Sequence, residues 1–508
     1  MISSLTWIRK GIALENPIQN VVDLYESGEY NPLAAPEDSE EQNKENQGLD
    51  STARINADNG EIDEFDMENY DNEPDYPTIF TNSQEDLDMD HVENNLDNDN
   101  DEDDLEDELE EIEQLKILPT DNLLVVAKAD AEEVSTIEVC VYESSEQNLY
   151  VHHDFFVDAY PLCLEWLTNS QLGNLLAVGT FGSPLLDPNS ADATNKYSMT
   201  HHEQPYTQPY DVNIWDLNVI DSYNYAPVLS LIDPNYKVGS TTADTMSLSW
   251  NTNVMNLLAS GSSDALVRIW DLHSSSSASG NLVSRLTHHK DKVQCVKWHP
   301  VESSILLTAS YDKTIAICDS RASMSSAVIK FAKNLGDVET LLWDIHNPSS
   351  FYASFESGVV HCYDIRTLSS SSTSAATSPK FTIDAHKSGC TALDVHPTIP
   401  NCLLTASVDK SLKIWNTSTH TLVAKSDSDH FSSTVGAIFS AKFCPDSPYF
   451  EIAVGGDQNS LLVLDLSSNA SIQSAFNYSP PIESSEDNTQ QTIRDPFVYV
   501  NSGGYGSD

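Results

Sequence analysis

MSLSWNTNVMNLLASGSSDALVRIWD, residues 246–271, holds three short segments in a fixed order: an alternating run ending on Trp250, the small-residue run LLASGS, and a run ending on Trp270-Asp271. Apolar alternation of period two, bounded by clusters of Asn, Ser, Gly and Asp, reads as three β-strands joined by tight turns. The Trp that ends the first strand lies 20 residues before the aromatic that ends the third. The same 20-residue spacing separates Trp298 from Cys318, Trp343 from Tyr363 and Val395 from Trp415, and 21 residues separate Phe443 from Leu464. The residue that follows each third-strand position is Asp271, Asp319, Asp364, Asn416 or Asp465. Successive first-strand positions are 48, 45, 52 and 48 residues apart, near the ~40–45 residues of a four-stranded propeller blade.

Two further copies emerge once insertions are allowed. CLEWL, NLLAVGT and VNIWD place Trp166 and Trp215 49 residues apart, with a polar, Pro-rich loop between the second and third strands. NLLVVAKA and STIEVCVYE supply second and third strands ending on Tyr142-Glu143, and the missing first strand is ISSLTWIRK at the start of the chain, ending on Trp7. The repeated aromatic-plus-acid ending is the mark of WD repeats. The expectation is an all-β, seven-bladed WD-repeat β-propeller whose first blade is split by a long, disordered, acidic insertion. Its parts are an inner strand of blade 1 at 1–10, the insertion at 11–120, the propeller at 121–478 and a flexible C-terminal tail at 479–508. Seven blades close a ring that hides the apolar faces and inner edges of every sheet. Gly455-Gly456, at the end of a second strand, suggests a turn with positive φ.

Charge is concentrated. The chain has 25 Lys+Arg against 79 Asp+Glu, a net −54, and residues 37–114 alone hold 32 acids against Lys44 and Arg54, a net −30. Such a segment buries too little apolar surface to offset the entropy of ordering, and a helix is expected in it only around residues 105–118. Net negative charge repels a phosphate backbone, so no direct DNA binding is expected and basic proteins are the favoured partners. No apolar run reaches the ~18 residues of a membrane span, so no membrane association is expected. The eight cysteines are dispersed without a C-x-x-C pair, which reads as reduced, buried thiols.

The candidate polar cluster lies in the sixth repeat. His386 precedes its first strand, Thr405 and Ser407 sit on its second, Asp409 in the next turn and Trp415 at the end of its third. A buried His held between an Asp and a Trp-bearing strand satisfies polar groups and ties strands together. His, Asp and Ser could also form a hydrolase triad, but the periodic context and the absence of G-x-S-x-G favour structure over catalysis. His152-His153, His201-His202 and His288-His289 invite a metal reading, yet neighbours on a strand face opposite sides. His288 or His289 would cap the fourth repeat as His386 caps the sixth, with Cys318 in place of the Trp leaving that cluster incomplete. No catalytic residue, cofactor or metal is expected. Ser83 and Ser484, each followed three residues on by an acid, are candidate phosphorylation sites. The run IDEFDMENYDNEPDYPTIF, residues 62–80, mixes acids with Phe65, Met67, Tyr70, Tyr76, Ile79 and Phe80, which suits docking to a basic, partly apolar partner.

ISSLTWIRKGIA at the start, the acidic insertion, DNLLVVAKA, NLYVHHDFFVDAYPLCLEWL and VNIWDLNVIDS together resemble the periodic tryptophan protein 1 family across nearly the whole chain. The resemblance implies a nuclear, largely nucleolar scaffold or chaperone-like factor in ribosome biogenesis, acting in large-subunit assembly and rRNA processing. Its partners would be ribosomal proteins and pre-ribosome assembly factors, with the protein a monomer within a larger complex. A basic client could equally be a histone, so a histone-binding chromatin scaffold is the alternative, and a substrate-receptor adaptor a third class.

Overall fold

The structure, a computed structural model, describes residues 1–15, 17–18, 116–129, 135–157, 159–168, 174–181, 211–220, 226–235, 243–273, 281–321, 328–332, 336–368, 378–481 and 496–500. The expected disorder of the acidic insertion, the helix around 105–118, and Ser83 and Ser484 lie wholly or largely outside them.

These residues form seven four-stranded antiparallel sheets. Blade 1 is β1 (Ile2–Ile8), β2 (Asn122–Ala129), β3 (Ser135–Glu143) and β4 (Asn148–Val157). Blade 2 is β5 (Pro161–Thr168), β6 (Asn174–Thr180), β7 (Val212–Asp216) and β8 (Leu229–Leu231). Blade 3 is β9 (Thr245–Trp250), β10 (Leu257–Ser262), β11 (Val267–Asp271) and β12 (Asn281–Leu286). Blade 4 is β13 (Val293–Trp298), β14 (Ile305–Ser310), β15 (Thr314–Asp319) and β16 (Val328–Ala332). Blade 5 is β17 (Val338–Trp343), β18 (Ser350–Phe355), β19 (Val359–Asp364) and β20 (Phe381–Asp384). Blade 6 is β21 (Cys390–Val395), β22 (Cys402–Ser407), β23 (Leu412–Asn416) and β24 (Thr421–Ser426). Blade 7 is β25 (Ile438–Phe443), β26 (Glu451–Gly456), β27 (Leu462–Asp465) and β28 (Phe497–Tyr499). Each first strand touches the first strands of both neighbours, β1 meeting β25, so the ring is closed and first strands line its axis.

Strand register explains the spacing in the sequence. Trp7, Trp166, Trp250, Trp298, Trp343, Val395 and Phe443 pair with Leu124, Leu176, Leu258, Leu306, Phe351, Leu403 and Ile452. Those residues pair in turn with Cys140, Trp215, Trp270, Cys318, Tyr363, Trp415 and Leu464. One row thus crosses each blade at the same height, and all its tryptophans except the half-buried Trp166 are buried, as is Tyr363. In blade 1 the row member is Cys140, two residues before the expected Tyr142. β3 is long enough to carry Tyr142 past the row, where it pairs with Asn122 and meets the Trp7 ring at 5.8 Å.

Three residues past the row on each second strand every residue is small: Ala127, Gly179, Gly261, Ala309, Ser354, Ala406 and Gly455, and at the three glycines the next blade comes too close to admit a side chain. A Cβ on Gly455 would lie 2.4 Å from Ile2 Cγ2, and one on Gly179 would lie 2.7 Å from Thr245 Cγ2. Gly455-Gly456 therefore do not supply the positive φ expected of them. Both lie within β26 and are absent from the positive-φ glycines, and Gly455 is demanded by the first blade's approach.

The domain boundaries also shift. The C-terminal tail expected at 479–508 contains β28, which pairs with the free edge of β27 through Phe497, Val498 and Tyr499. An unpaired third strand would leave ladder groups and the apolar flank of blade 7 exposed. The described flanks of the insertion belong to the propeller as well. Ile18 N–H donates to Asn218 O (2.7 Å), Ile117 N–H to Glu15 O (3.0 Å), and Ile117 is buried in the core between blades 1 and 2.

Closure rests on the blade 1 and blade 7 seam. Ile2, Leu5, Trp7, Leu124 and Tyr142 share one core cluster with Ala453, Leu461, Val463 and Val498. Trp7 Nε1–H donates to Lys442 O (3.2 Å), Leu5 N–H to Ser440 Oγ (3.3 Å) and Tyr142 O–H to Glu451 Oε1 (2.7 Å). Loop-closure cost grows only logarithmically with length, so a long excursion after β1 adds little. Deleting residues 1–10 is therefore expected to lower the thermal midpoint far more than deleting residues 37–114. Equal midpoints for the first deletion and the intact chain would contradict the seam.

Candidate functional site

In blade 6 the imidazole of His386 joins three strands. Trp415 Nε1–H donates to Thr405 Oγ1 (3.0 Å), and Thr405 Oγ1 lies 2.8 Å from His386 Nε2. The other ring nitrogen, Nδ1, is 3.2 Å from both carboxylate oxygens of Asp409. The consistent proton arrangement has Nδ1–H donating to Asp409, leaving Nε2 to accept from the Thr405 hydroxyl. Burial pushes His386 down to about 4, despite Asp409, so the ring is neutral near pH 7. Burial opposes ionisation of Asp409 too, but Ser411, the Lys387 amide and His386 hold its carboxyl below the ordinary range. Ser407 stands outside this chain: it donates to Ser388 O (3.3 Å) and accepts from Asp409 N–H (3.0 Å). Ser411, 3.1 Å from His386 Nδ1, occupies the place beside the ring that the sequence suggested for Ser407. Thr405, the hydroxyl at Nε2 of the imidazole, is fully buried and already accepts from Trp415.

Blade 4 repeats the arrangement with one exchange. His289 Nε2 is 2.8 Å from Thr308 Oγ1, and its Nδ1 is 3.2 Å from Asp312. The indole that Cys318 cannot supply is replaced by His288, whose Nε2 lies 2.9 Å from the same Thr308 hydroxyl and 3.6 Å from Cys318 Sγ. Both members of the pair are thus used, and the cluster expected to be incomplete is filled. In blade 3, among the described residues, the matching bond runs from Trp270 Nε1–H to Ser260 Oγ (2.9 Å). At His152-His153 strand alternation fails: a β-bulge in the β3–β4 pairing brings the two Nδ1 atoms to 2.9 Å. Among the described residues no group of three His, Cys, Asp or Glu could hold a metal ion, and His201-His202 lies outside them.

Two polar systems escaped the sequence reading. Asp233, after β8, accepts from Arg268 Nε (2.9 Å) on β11 and Arg285 Nε (2.8 Å) on β12, clamping blade 2 to blade 3. Burial opposes its charge, but these bonds and the Asn235 amide hold it down at about 2. The only signal was Arg268 between Val267 and Ile269 in a buried strand. The second system occupies the position just before the first-strand row residue in five of the seven blades. Glu165 accepts from Trp250 N–H (2.9 Å), Ser249 from Trp298 N–H (3.0 Å) and Asp394 from Phe443 N–H (2.8 Å). Where that position is a lysine, which cannot accept, the next blade's indole bonds its carbonyl instead: Trp343 to Lys297 (3.1 Å) and Trp7 to Lys442 (3.2 Å). Glu165, Lys297, Asp394 and Lys442 line a cavity of about 370 Å³ on the axis. Burial there pushes Asp394 up to about 6 and lowers Lys442, whereas at Lys297 burial is outweighed by Glu165, Cys295, Cys163 and Asp394 acting together, and the ammonium is held raised.

The turns between first and second strands are also cross-linked. Asn251 Nδ2–H donates from blade 3 to Ser303 O of blade 4 (2.7 Å), and Asn253 Nδ2–H to Pro300 O (3.2 Å). His299 Nδ1 accepts from Glu302 N–H (2.8 Å), which leaves Nε2–H to donate to Pro348 O of blade 5 (2.9 Å). His346 Nε2 reaches His396 O of blade 6 (2.8 Å).

Thr405→Val should cost about 1–3 kcal/mol, because it strands the Trp415 N–H and His386 Nε2 inside the blade. The His386 link also has a pH signature. Its folded pKa of about 4 lies below the ordinary 6.5, so as pH falls below about 6.5 the unfolded chain takes up the proton first. The stability that the native chain holds over His386→Asn should therefore be full above pH 6.5 and shrink toward pH 4 in denaturant titrations. A pH-independent difference would contradict the neutral, buried ring.

Comparison with known proteins agrees with this geometry. The family model described as WD domain, G-beta repeat, matches residues 236–271, 280–319 and 377–416. An uncharacterized WD repeat-containing protein of Schizosaccharomyces pombe is 30% identical over 78% of this chain and 70% of its own length. Periodic tryptophan protein 1 of Saccharomyces cerevisiae is 26% identical over 94% of this chain and 90% of its own. Histone acetyltransferase type B subunit 2 of Eremothecium gossypii is 29% identical over 30% of this chain and 37% of its own. With its seven closed blades and row of periodic tryptophans, the chain belongs to the periodic tryptophan protein 1 family of WD-repeat proteins.

Proposed function

We propose that this protein is a non-enzymatic scaffold, chaperone-like toward basic proteins, that acts in nucleolar ribosome biogenesis during large-subunit assembly and rRNA processing. The observation that carries the reading is where the polar chemistry goes. The polar interactions traced through blades 3, 4 and 6 and along the axis end on other strands or neighbouring blades, so their work is to hold a ring rigid. A rigid ring is a platform, and the excess of 79 acids over 25 basic residues suits it to basic clients. Ribosomal proteins are such clients, and the likeness to periodic tryptophan protein 1 over nearly the full length favours them. Phosphate on Ser83 or Ser484 would deepen the negative charge.

A histone-binding role is the second reading, favoured by the partial likeness to a histone acetyltransferase subunit and by the same acidity. Affinity purification of the tagged full chain at stepped salt separates the readings. Ribosomal proteins of the large subunit and their assembly factors should dominate, with the basic clients released first as salt rises. Histones as the main partner would favour the second reading, and ubiquitin-ligase components would replace both with an adaptor.

A further inference from the structure

We propose that the axial cavity is a binding site for a phosphate dianion, free or carried by a small molecule, held between the ammonium groups of Lys297 and Lys442. At about 370 Å³ the cavity falls within the range of small-ligand pockets. First strands of six blades line it, and the position just before the row contributes Thr6, Glu165, Lys297, Leu342, Asp394 and Lys442. A second cavity of about 230 Å³ shares Thr6, Trp166, Asp394 and Lys442 with the first and reaches the exposed Arg9.

The two signs of charge are used differently there. The carboxylates are committed to backbone: Glu165 Oε1 accepts from Trp250 N–H (2.9 Å), and the two oxygens of Asp394 accept from Val395 N–H (3.0 Å) and Phe443 N–H (2.8 Å). The ammonium groups of Lys297 and Lys442 have no hydrogen bond or ion pair among the described residues, since each lysine gives the next blade only its backbone carbonyl. Each therefore brings three unspent N–H donors to the cavity wall. A buried ammonium that no acceptor meets is costly, and burial holds Lys442 below the ordinary lysine range. An oxyanion between the two lysines satisfies both. Across the two cavities Arg9, Lys297 and Lys442 face two carboxylates, Glu165 and Asp394, a local +1 in a chain of net −54. Ser440, whose Oγ accepts from Leu5 N–H (3.3 Å), keeps its own proton to donate. Two ammonium groups, with a guanidinium at the mouth, match a doubly charged phosphate better than a single carboxylate.

Calorimetric titrations and thermal melts of the full chain with inorganic phosphate and with glycerol 3-phosphate, at constant ionic strength, test the assignment. At least one should bind saturably and raise the melting midpoint, and the tighter of the two shows whether the phosphate is free or carried. Lys297→Met and Lys442→Met should each weaken binding at least about tenfold, the loss expected when a charge-assisted hydrogen bond is removed. Each variant is read against its own ligand-free midpoint, so a change in its stability does not enter. Glu165→Gln keeps the carbonyl that accepts from Trp250 N–H but loses a negative charge, so it should bind phosphate more tightly. Lys380→Met, at an exposed lysine just before β20, should bind as the intact chain does. Absence of saturable binding of either phosphate overturns the site, as does unchanged binding in both cavity lysine variants or an equal loss in Lys380→Met. Tighter binding of succinate than of either phosphate overturns the assignment to phosphate. All these outcomes leave the scaffold reading standing.

Discussion

A ring of sheets holds only if its last sheet is covered by its first, and here that cover is a single strand, Ile2–Ile8, separated from the rest of its blade by more than a hundred residues of chain. Removing it would expose the second strand of blade 1 along one edge and the apolar flank of blade 7 along the other. Ile2 fits because Gly455 has no side chain, and Trp7 fits because the Lys442 carbonyl is free to accept its indole proton. The same two devices, a small residue on one blade and a donor reaching the next, recur around the ring. The seam is thus an ordinary blade junction whose two sides happen to lie at opposite ends of the chain.

Polar groups follow one rule in five of the seven blades. A side chain just before the row either accepts the next blade's backbone N–H, as Glu165, Ser249 and Asp394 do, or yields its carbonyl to the next blade's indole, as Lys297 and Lys442 do. The chain can therefore place charges of either sign on the axis without losing a tie between blades. His386 and the pair His288 and His289 meet the same need at the opposite end of the blades, where a neutral imidazole satisfies a hydroxyl on one side and a carboxylate on the other. These groups resemble catalytic constellations in composition. Their hydrogen bonds run to other strands of the ring.

Much of this was legible in the sequence because strand pairing converts structure into spacing. A row that crosses first, second and third strands at one height must recur at a constant separation, so Trp250 and Trp270, or Trp343 and Tyr363, announced the blade. The strand at the start of the chain could be placed for the same reason. What failed had no periodic trace. Tyr142-Glu143 imitates the row ending but lies two residues beyond it, since β3 is longer than its counterparts. β28, three residues long and far from β27 in sequence, is too short for alternation to identify. Ser411 rather than Ser407 flanks His386, and His288 fills the space of a missing indole, because both depend on the path of turns in three dimensions. The Asp233 clamp joins residues 35 and 52 positions apart, and no local pattern encodes such a pairing.

The central claim is that Ile2–Ile8 is an integral strand of the ring and not an appended arm. Native-state hydrogen exchange of the Leu5 and Trp7 amides tests it most directly, since an integral strand opens only when the whole ring does. The account predicts that both amides exchange with the same opening free energy, and the same denaturant dependence, as the amides of Val454 in β26. Exchange of Leu5 and Trp7 through a low-energy local opening, while Val454 stays protected, would contradict it.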